Sequence, residues 1–272
     1  MSFEQRERMP LDYDPVVYPG SVLRFRGPAC RMDAPYVLCL GGSETFGRFI
    51  QAPFARVMDD ALPVDVVNMG VMNGGLDVMM GDPAITNAVG GAQAVVLQIT
   101  GAQNMTNRFY AVHPRRNDRV IKATPMLRMI FRDVDFTEFH FTQHMLTHLQ
   151  ALSPDRFSVV EAELRTAWLA RMSAFLRRIT VPVHLLWISR HTPGQATRHG
   201  GLGEDPLFVT PDMLEAVAEK AASLTIAATE DGCDTGRTQG MFFTKREEPA
   251  ARALPGPDLH AMAAAKLIAC LG

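Results

Sequence analysis

The chain predicts a three-layer α/β sandwich of the flavodoxin-like kind, built on a parallel five-stranded sheet. Three observations carry that expectation. Short unbroken apolar runs recur at 36–41 (YVLCLG), 64–69 (VDVVNM), 94–100 (AVVLQIT), 182–189 (PVHLLWIS) and 225–229 (TIAAT). Stretches with apolar residues at helical spacing separate them, as parallel strands covered on both faces require. The 272 residues, 47% of them hydrophobic, suffice for one large domain or a domain with a small appendage.

The elements follow in order. Residues 1–33 carry Pro10, Pro15, Pro19, Gly20, Gly27 and Pro28 around short apolar pieces and read as an irregular arm or hairpin packed on the main domain, 34–272. After the first strand, 48–62 has helical spacing with Pro53 near its first turn. After the second, 76–90 reads as a helix interrupted near Gly81-Asp82-Pro83. Residues 105–181 are too long for a simple crossover. Within them 105–135 is rich in Arg and polar groups, and 136–151 and 156–179 read as helices. This predicts a helical insertion acting as a lid or as an interface, through which a homo-oligomer could form. Thr210-Pro211-Asp212 opens a helix with a Thr cap, Pro at the first position and an acid in the first turn. Asp258 opens a last alanine-rich helix.

Composition excludes several classes. The formal net charge is −2, with no basic excess for nucleic acid. The first residues, MSFEQRERMPLDYD, lack the apolar core of a secretory signal, and no apolar run has the length of a membrane span. Cys30, Cys39, Cys233 and Cys270 form no CxxC pair and read as free, buried thiols in a reducing compartment. The expectation is a soluble cytoplasmic protein.

The chemistry centres on GGSETFG, 41–47. Gly42 to Gly47 has the glycine spacing of a phosphate loop, which would suit a nucleotide-dependent transferase. The Lys-Ser/Thr pair that such a loop needs is replaced by Arg48-Phe49, and Glu44 would put negative charge into an anion site. A tight turn with Ser43 or Thr45 capping a helix is the plain structural reading. Alternatively, Ser43 at the carboxyl end of the first strand is a nucleophile, with its base supplied from LPGPDLH, 254–260.

These blocks together resemble the SGNH, or GDSL-type, hydrolases: GGSETFG after the first strand, a Gly-bearing turn after the second, Gly101-Ala102-Gln103-Asn104 after the third, and an Asp/His pair before the last helix. The resemblance runs in order over 36–272. It implies Ser43 as nucleophile, His260 as general base and Asp258 orienting it. It also implies an oxyanion hole from the N–H groups of Ser43 and Gly70 with the amide of Asn104 or Gln103. Gly42 stands where the family has Asp, Gln103 and Asn104 where it has Asn and Asp, and Pro257 where it has the Asp three residues before His.

The resulting expectation is a serine ester hydrolase or acyltransferase working through a Ser43 acyl-enzyme, without cofactor or metal, on a small-molecule or carbohydrate ester. The alternatives are a catalytically silent relative that binds a ligand or serves assembly, and the transferase above. Arg190, His191 and His199, in the polar loop after the fourth strand, are candidates for substrate binding. His140, His144 and His148 recur every four residues, as on one helix face, and read as part of a lid or interface helix rather than a metal site. Asp231 and Asp234 are alternative acids for orienting His260.

Overall fold

The computed structural model describes residues 10–195, 202–229 and 238–272. Five strands form one parallel sheet in the order β2 (Asp65–Gly70), β1 (Tyr36–Gly41), β3 (Ala94–Gln98), β6 (Val183–Ser189) and β7 (Ser223–Ala228). In chain order, β1 is Tyr36–Gly41, followed by a four-residue helix α1 (Ser43–Phe46), α2 (Phe54–Ala61) and β2 (Asp65–Gly70). Next come α3 (Leu76–Gly81), α4 (Pro83–Gly91) and β3 (Ala94–Gln98). The insertion holds β4 (Tyr110–His113), β5 (Arg116–Ala123), α5 (Pro125–Ile130), α6 (Thr142–Leu152) and α7 (Pro154–Arg178). The domain closes with β6 (Val183–Ser189), α8 (Pro211–Ala218), β7 (Ser223–Ala228), α9 (Glu248–Arg252) and α10 (Pro257–Leu271).

The strands alternate their side chains between two covered faces, as the pleat dictates. Val37, Cys39, Val66, Val96, Leu186 and Ile188 point to one layer, where Phe54 and Met58 of α2 meet Leu259, Ala263 and Leu267 of α10. Leu38, Leu40, Val67, Val95, Leu97 and Trp187 point to the other, against α3, α4, α7 and α8. The fully buried indole of Trp168 on α7 ties the insertion to the sheet by donating from Nε1 to the Thr100 carbonyl at 2.8 Å.

Three local readings change. The helix expected over 48–62 starts at Phe54, because Pro53 occupies its N-cap in extended backbone. The Arg-rich stretch after β3 contains an antiparallel hairpin, β4 with β5; Arg116, Asp118, Arg119 and Lys122 interrupt the apolar alternation of β5 and so hide the strand pattern. His140 precedes α6, and its carbonyl accepts from the Val120 N–H, so it shares no helix face with His144 and His148. Those two imidazoles instead lie 5.0 and 5.2 Å from the ring of Phe139. Of the thiols expected to be buried, Cys39 is buried, Cys30 is half-buried and Cys270 is exposed near the end of α10. Cys233 lies outside the described residues. No described helix is long and apolar enough to cross a membrane.

Candidate functional site

The chain moves outward from β1 to β2 and returns on the other side to β3. Such a reversal opens a crevice beyond the carboxyl ends of the strands. A cavity of roughly 200 Å³ lies there, lined by Ser43 and Glu44 after β1, Asn73 and Gly74 after β2, Thr100, Gly101 and Asn104 after β3, and Asp205 after β6. Asp118 from the inserted hairpin and Ala253 and Leu254 ahead of α10 also line it.

The Gly41-Gly42 turn is built around Gln98, the last residue of β3. The Gln98 Oε1 accepts from the Gly42 N–H at 2.9 Å, the Thr45 N–H at 3.2 Å and the Thr45 hydroxyl at 2.6 Å. A Cβ on Gly41 would stand 2.3 Å from that oxygen, so the approach requires glycine. The loop's inward N–H groups therefore already have an acceptor, and the phosphate-loop reading gains no support from this geometry.

Ser43 faces the cavity. Its hydroxyl oxygen accepts from the Asn73 N–H at 3.0 Å and lies 3.4 Å from Asn73 Oδ1. Asn73 has a φ of 56°, left-handed backbone that Asn tolerates better than most residues. That turn brings the N–H back over the serine.

The dominant chemistry of the wall is acidic. Glu44 Oε2 accepts from Gln98 Nε2 at 2.8 Å. Asp205 Oδ1 accepts from Gln103 Nε2 at 2.6 Å and from the Leu207 N–H at 3.3 Å. Loss of water from around the Glu44 carboxylate raises it above the ordinary carboxylate range, and the Asp205 charge raises it further, whereas Asp205 itself is exposed at the rim. Desolvation also raises Asp118, whose buried Oδ1 has no hydrogen-bond partner, although Arg116 Nε lies 4.0 Å away. The lining cation is Arg48, stacked over Phe49 and 3.6 Å from Glu247.

The sequence-derived candidates divide. Ser43 and Asn104 share the cavity, although Asn104 Oδ1 accepts from the Thr142 hydroxyl at 2.6 Å. His260 does not join them. It lies in the first turns of α10, 1% exposed, with its ring stacked on Phe54 at 6.0 Å and its Nδ1 accepting from the Phe54 N–H at 3.2 Å. Burial, with a smaller push from Arg26, lowers its pKa to about 3. Asp258 is exposed in the first turn of α10. Two residues from His260 on a helix, it points elsewhere. The Gly70 N–H is committed to Asn68 Oδ1 at 2.9 Å. A Cβ at Gly70 would meet the Phe46 nitrogen at 2.2 Å, so this glycine serves the packing of α1 on β2. The Gln103 amide holds Asp205 instead of facing the cavity.

Arg190 reaches the carbonyls of Arg252 and Leu254 and so fastens the approach to α10. His191 Nε2 lies 3.2 Å from the Asp205 carbonyl oxygen, behind the wall. His199, Asp231 and Asp234 lie outside the described residues. Among the described residues no three His, Cys, Asp or Glu side chains are grouped to hold a metal.

Sequence reasoning passed over Asn73, Thr100, Asp118 and Asp205. Asn73 and Thr100 follow strands that were identified, so their position at the rim was available. Asp118 and Asp205 come from long connecting segments whose path no local pattern reveals.

The chain belongs to the DUF6473 family, a domain of unknown function, whose model matches residues 1–272. No curated protein matches it. Among solved structures, the lipase Lip_vut3 from a goat rumen metagenome is similar at a TM-score of 0.45 and 13% identity, over 87% of this chain and 97% of that one.

Proposed function

We propose that this DUF6473 protein binds a small polar ligand in the rim cavity and does not run serine–histidine chemistry there. The observation that carries the reading is the engagement of His260. An imidazole that accepts the Phe54 N–H in the core, with a pKa near 3, is a poor base for Ser43. A serine hydroxyl without a base in hydrogen-bond reach is a weak nucleophile but a good hydrogen-bonding group. The remaining wall suits recognition: hydroxyl, amide and carboxyl groups converge on one small space, beside apolar Leu254 and Ala253.

A second reading, ester hydrolysis or acyl transfer through Ser43, is favoured by a specific feature. Ser43 and Asn104, two of the residues that the SGNH resemblance implies, share the cavity at the carboxyl rim, and the Asn73 N–H holds the serine hydroxyl there. A fluorophosphonate probe separates the two. Under the binding reading the folded protein is not labelled above the level of Ser43→Ala. Labelling that disappears in Ser43→Ala and survives replacement of His260 would establish a reactive serine served by another base, and the binding reading would fall.

A further inference from the structure

We propose that the outer face of the insertion, over residues 115–132, docks on an anionic lipid bilayer. The proposal is independent of what the rim cavity binds.

Positive charge is concentrated there. The insertion, 105–181, carries twelve Lys and Arg against seven Asp and Glu, a formal +5 in a chain whose total is −2. The stretch 115–132 holds the same excess by itself: Arg115, Arg116, Arg119, Lys122, Arg128 and Arg132 stand against Asp118 alone. All but Arg119 are exposed. Among the described residues the six form one ion pair, Arg116 with Asp118 at 4.0 Å. Arg119 lies over the ring of Phe141, and Arg128 lies over the ring of Phe136 and near Asp135.

The fold turns apolar side chains outward in the same stretch. The pairing of β5 with β4 steps from Val120 opposite Val112 to Lys122 opposite Ala111, which leaves Ile121 as the extra residue of a bulge. A bulge re-aims the side chains around it. Here Ile121 and Lys122 both reach solvent, Ile121 with 56% exposure. Next, α5 is fixed from beneath by Leu127 and, just past its end, by Phe131, both fully buried. Met126 and Met129, three residues apart on that helix, are left outward at 43% and 61% exposure.

The combination of cations and apolar groups selects the partner. A second copy meeting this face about a two-fold axis would set like charges against each other. Nucleic-acid phosphates would pair with the cations but offer Ile121, Met126 and Met129 no apolar surface to enter. An anionic bilayer serves both, since its headgroups pair with the cations while the three apolar side chains reach the acyl boundary.

The test is vesicle co-sedimentation of the full chain. Vesicles of phosphatidylcholine mixed equally with phosphatidylglycerol are compared with phosphatidylcholine alone, at about 0.05 M and about 0.5 M salt. The mixed vesicles should bind the protein at least about ten-fold more tightly than the neutral ones, and high salt should remove most of that advantage. Lys122→Gln with Arg128→Gln, and separately Met126→Ser with Met129→Ser, should each weaken binding by about ten-fold. The lipid comparison on the parent protein stands even if a variant folds poorly. Absence of binding, equal binding to the two kinds of vesicle, or a double Met variant that binds like the parent would overturn the proposal. Duplex DNA that displaces the protein from the mixed vesicles would also overturn it and assign the face to nucleic acid. A dimer of the parent protein that both double variants abolish would overturn it in favour of a second copy.

Discussion

His260 provides the most searching test, because its buried imidazole couples stability to pH with a defined sign. In the unfolded chain its pKa is near 6.5 and in the folded protein about 3. Between those values the unfolded state binds a proton that the folded state refuses. The stability that His260 contributes is therefore fully present above about 6.5 and is lost progressively as the pH falls towards 3. At pH 5, about 1.5 units below the unfolded value, the loss relative to pH 7 is about 2 kcal/mol. Glu44 acts in the opposite sense, since its raised pKa favours the folded state in acid. The measurement is therefore a difference. Urea unfolding of the parent protein and of His260→Asn is followed from pH 7 to pH 5. The Asn carbonyl preserves an acceptor for the Phe54 N–H and does not titrate. The variant is expected to be about 1–3 kcal/mol less stable at pH 7 through lost packing. It should close about 2 kcal/mol of that gap, or overtake, by pH 5. Parallel pH profiles would show that His260 titrates like an exposed imidazole. That result would refute its burial and restore it as a candidate base for Ser43.

Two further outcomes follow from the same hydrogen bonds. Replacing Gln98 by Leu strips the acceptor from the Gly42 and Thr45 N–H groups and the Thr45 hydroxyl. Calorimetry or urea unfolding should show a loss of at least about 3 kcal/mol, and a loss below about 1 would mean that water substitutes easily in the turn. Asn117→Ala removes the Oδ1 that accepts from the Gly75 and Val78 N–H groups at the start of α3. It should cost about 1–2 kcal/mol and increase amide exchange at Val78, and unchanged exchange there would count against the capping role.

The sequence by itself determined the architecture. Runs such as YVLCLG and AVVLQIT have no side that tolerates water, so they had to become strands covered on both faces, and the helical spacing between them supplied the cover. It likewise marked the rim, since the residues just past β1 and β3 must lie at one edge of a parallel sheet, and Ser43 and Asn104 do line one cavity. The β4-β5 hairpin was hidden because Arg116, Asp118, Arg119 and Lys122 break the apolar alternation of β5. Only the tertiary structure decided the partners. Asp258 and His260 read as a catalytic pair when the last block is taken as an open loop. The helix of α10 begins at Pro257 instead, and its amphipathic winding turns His260 into the layer beside Phe54 while leaving Asp258 in solvent. Asp118 and Asp205 reach the cavity from segments far apart in the chain, and no short-range pattern encodes where such segments cross. Strand burial is a local property of composition, whereas the environment of a titrating group is set by whatever the rest of the fold packs around it.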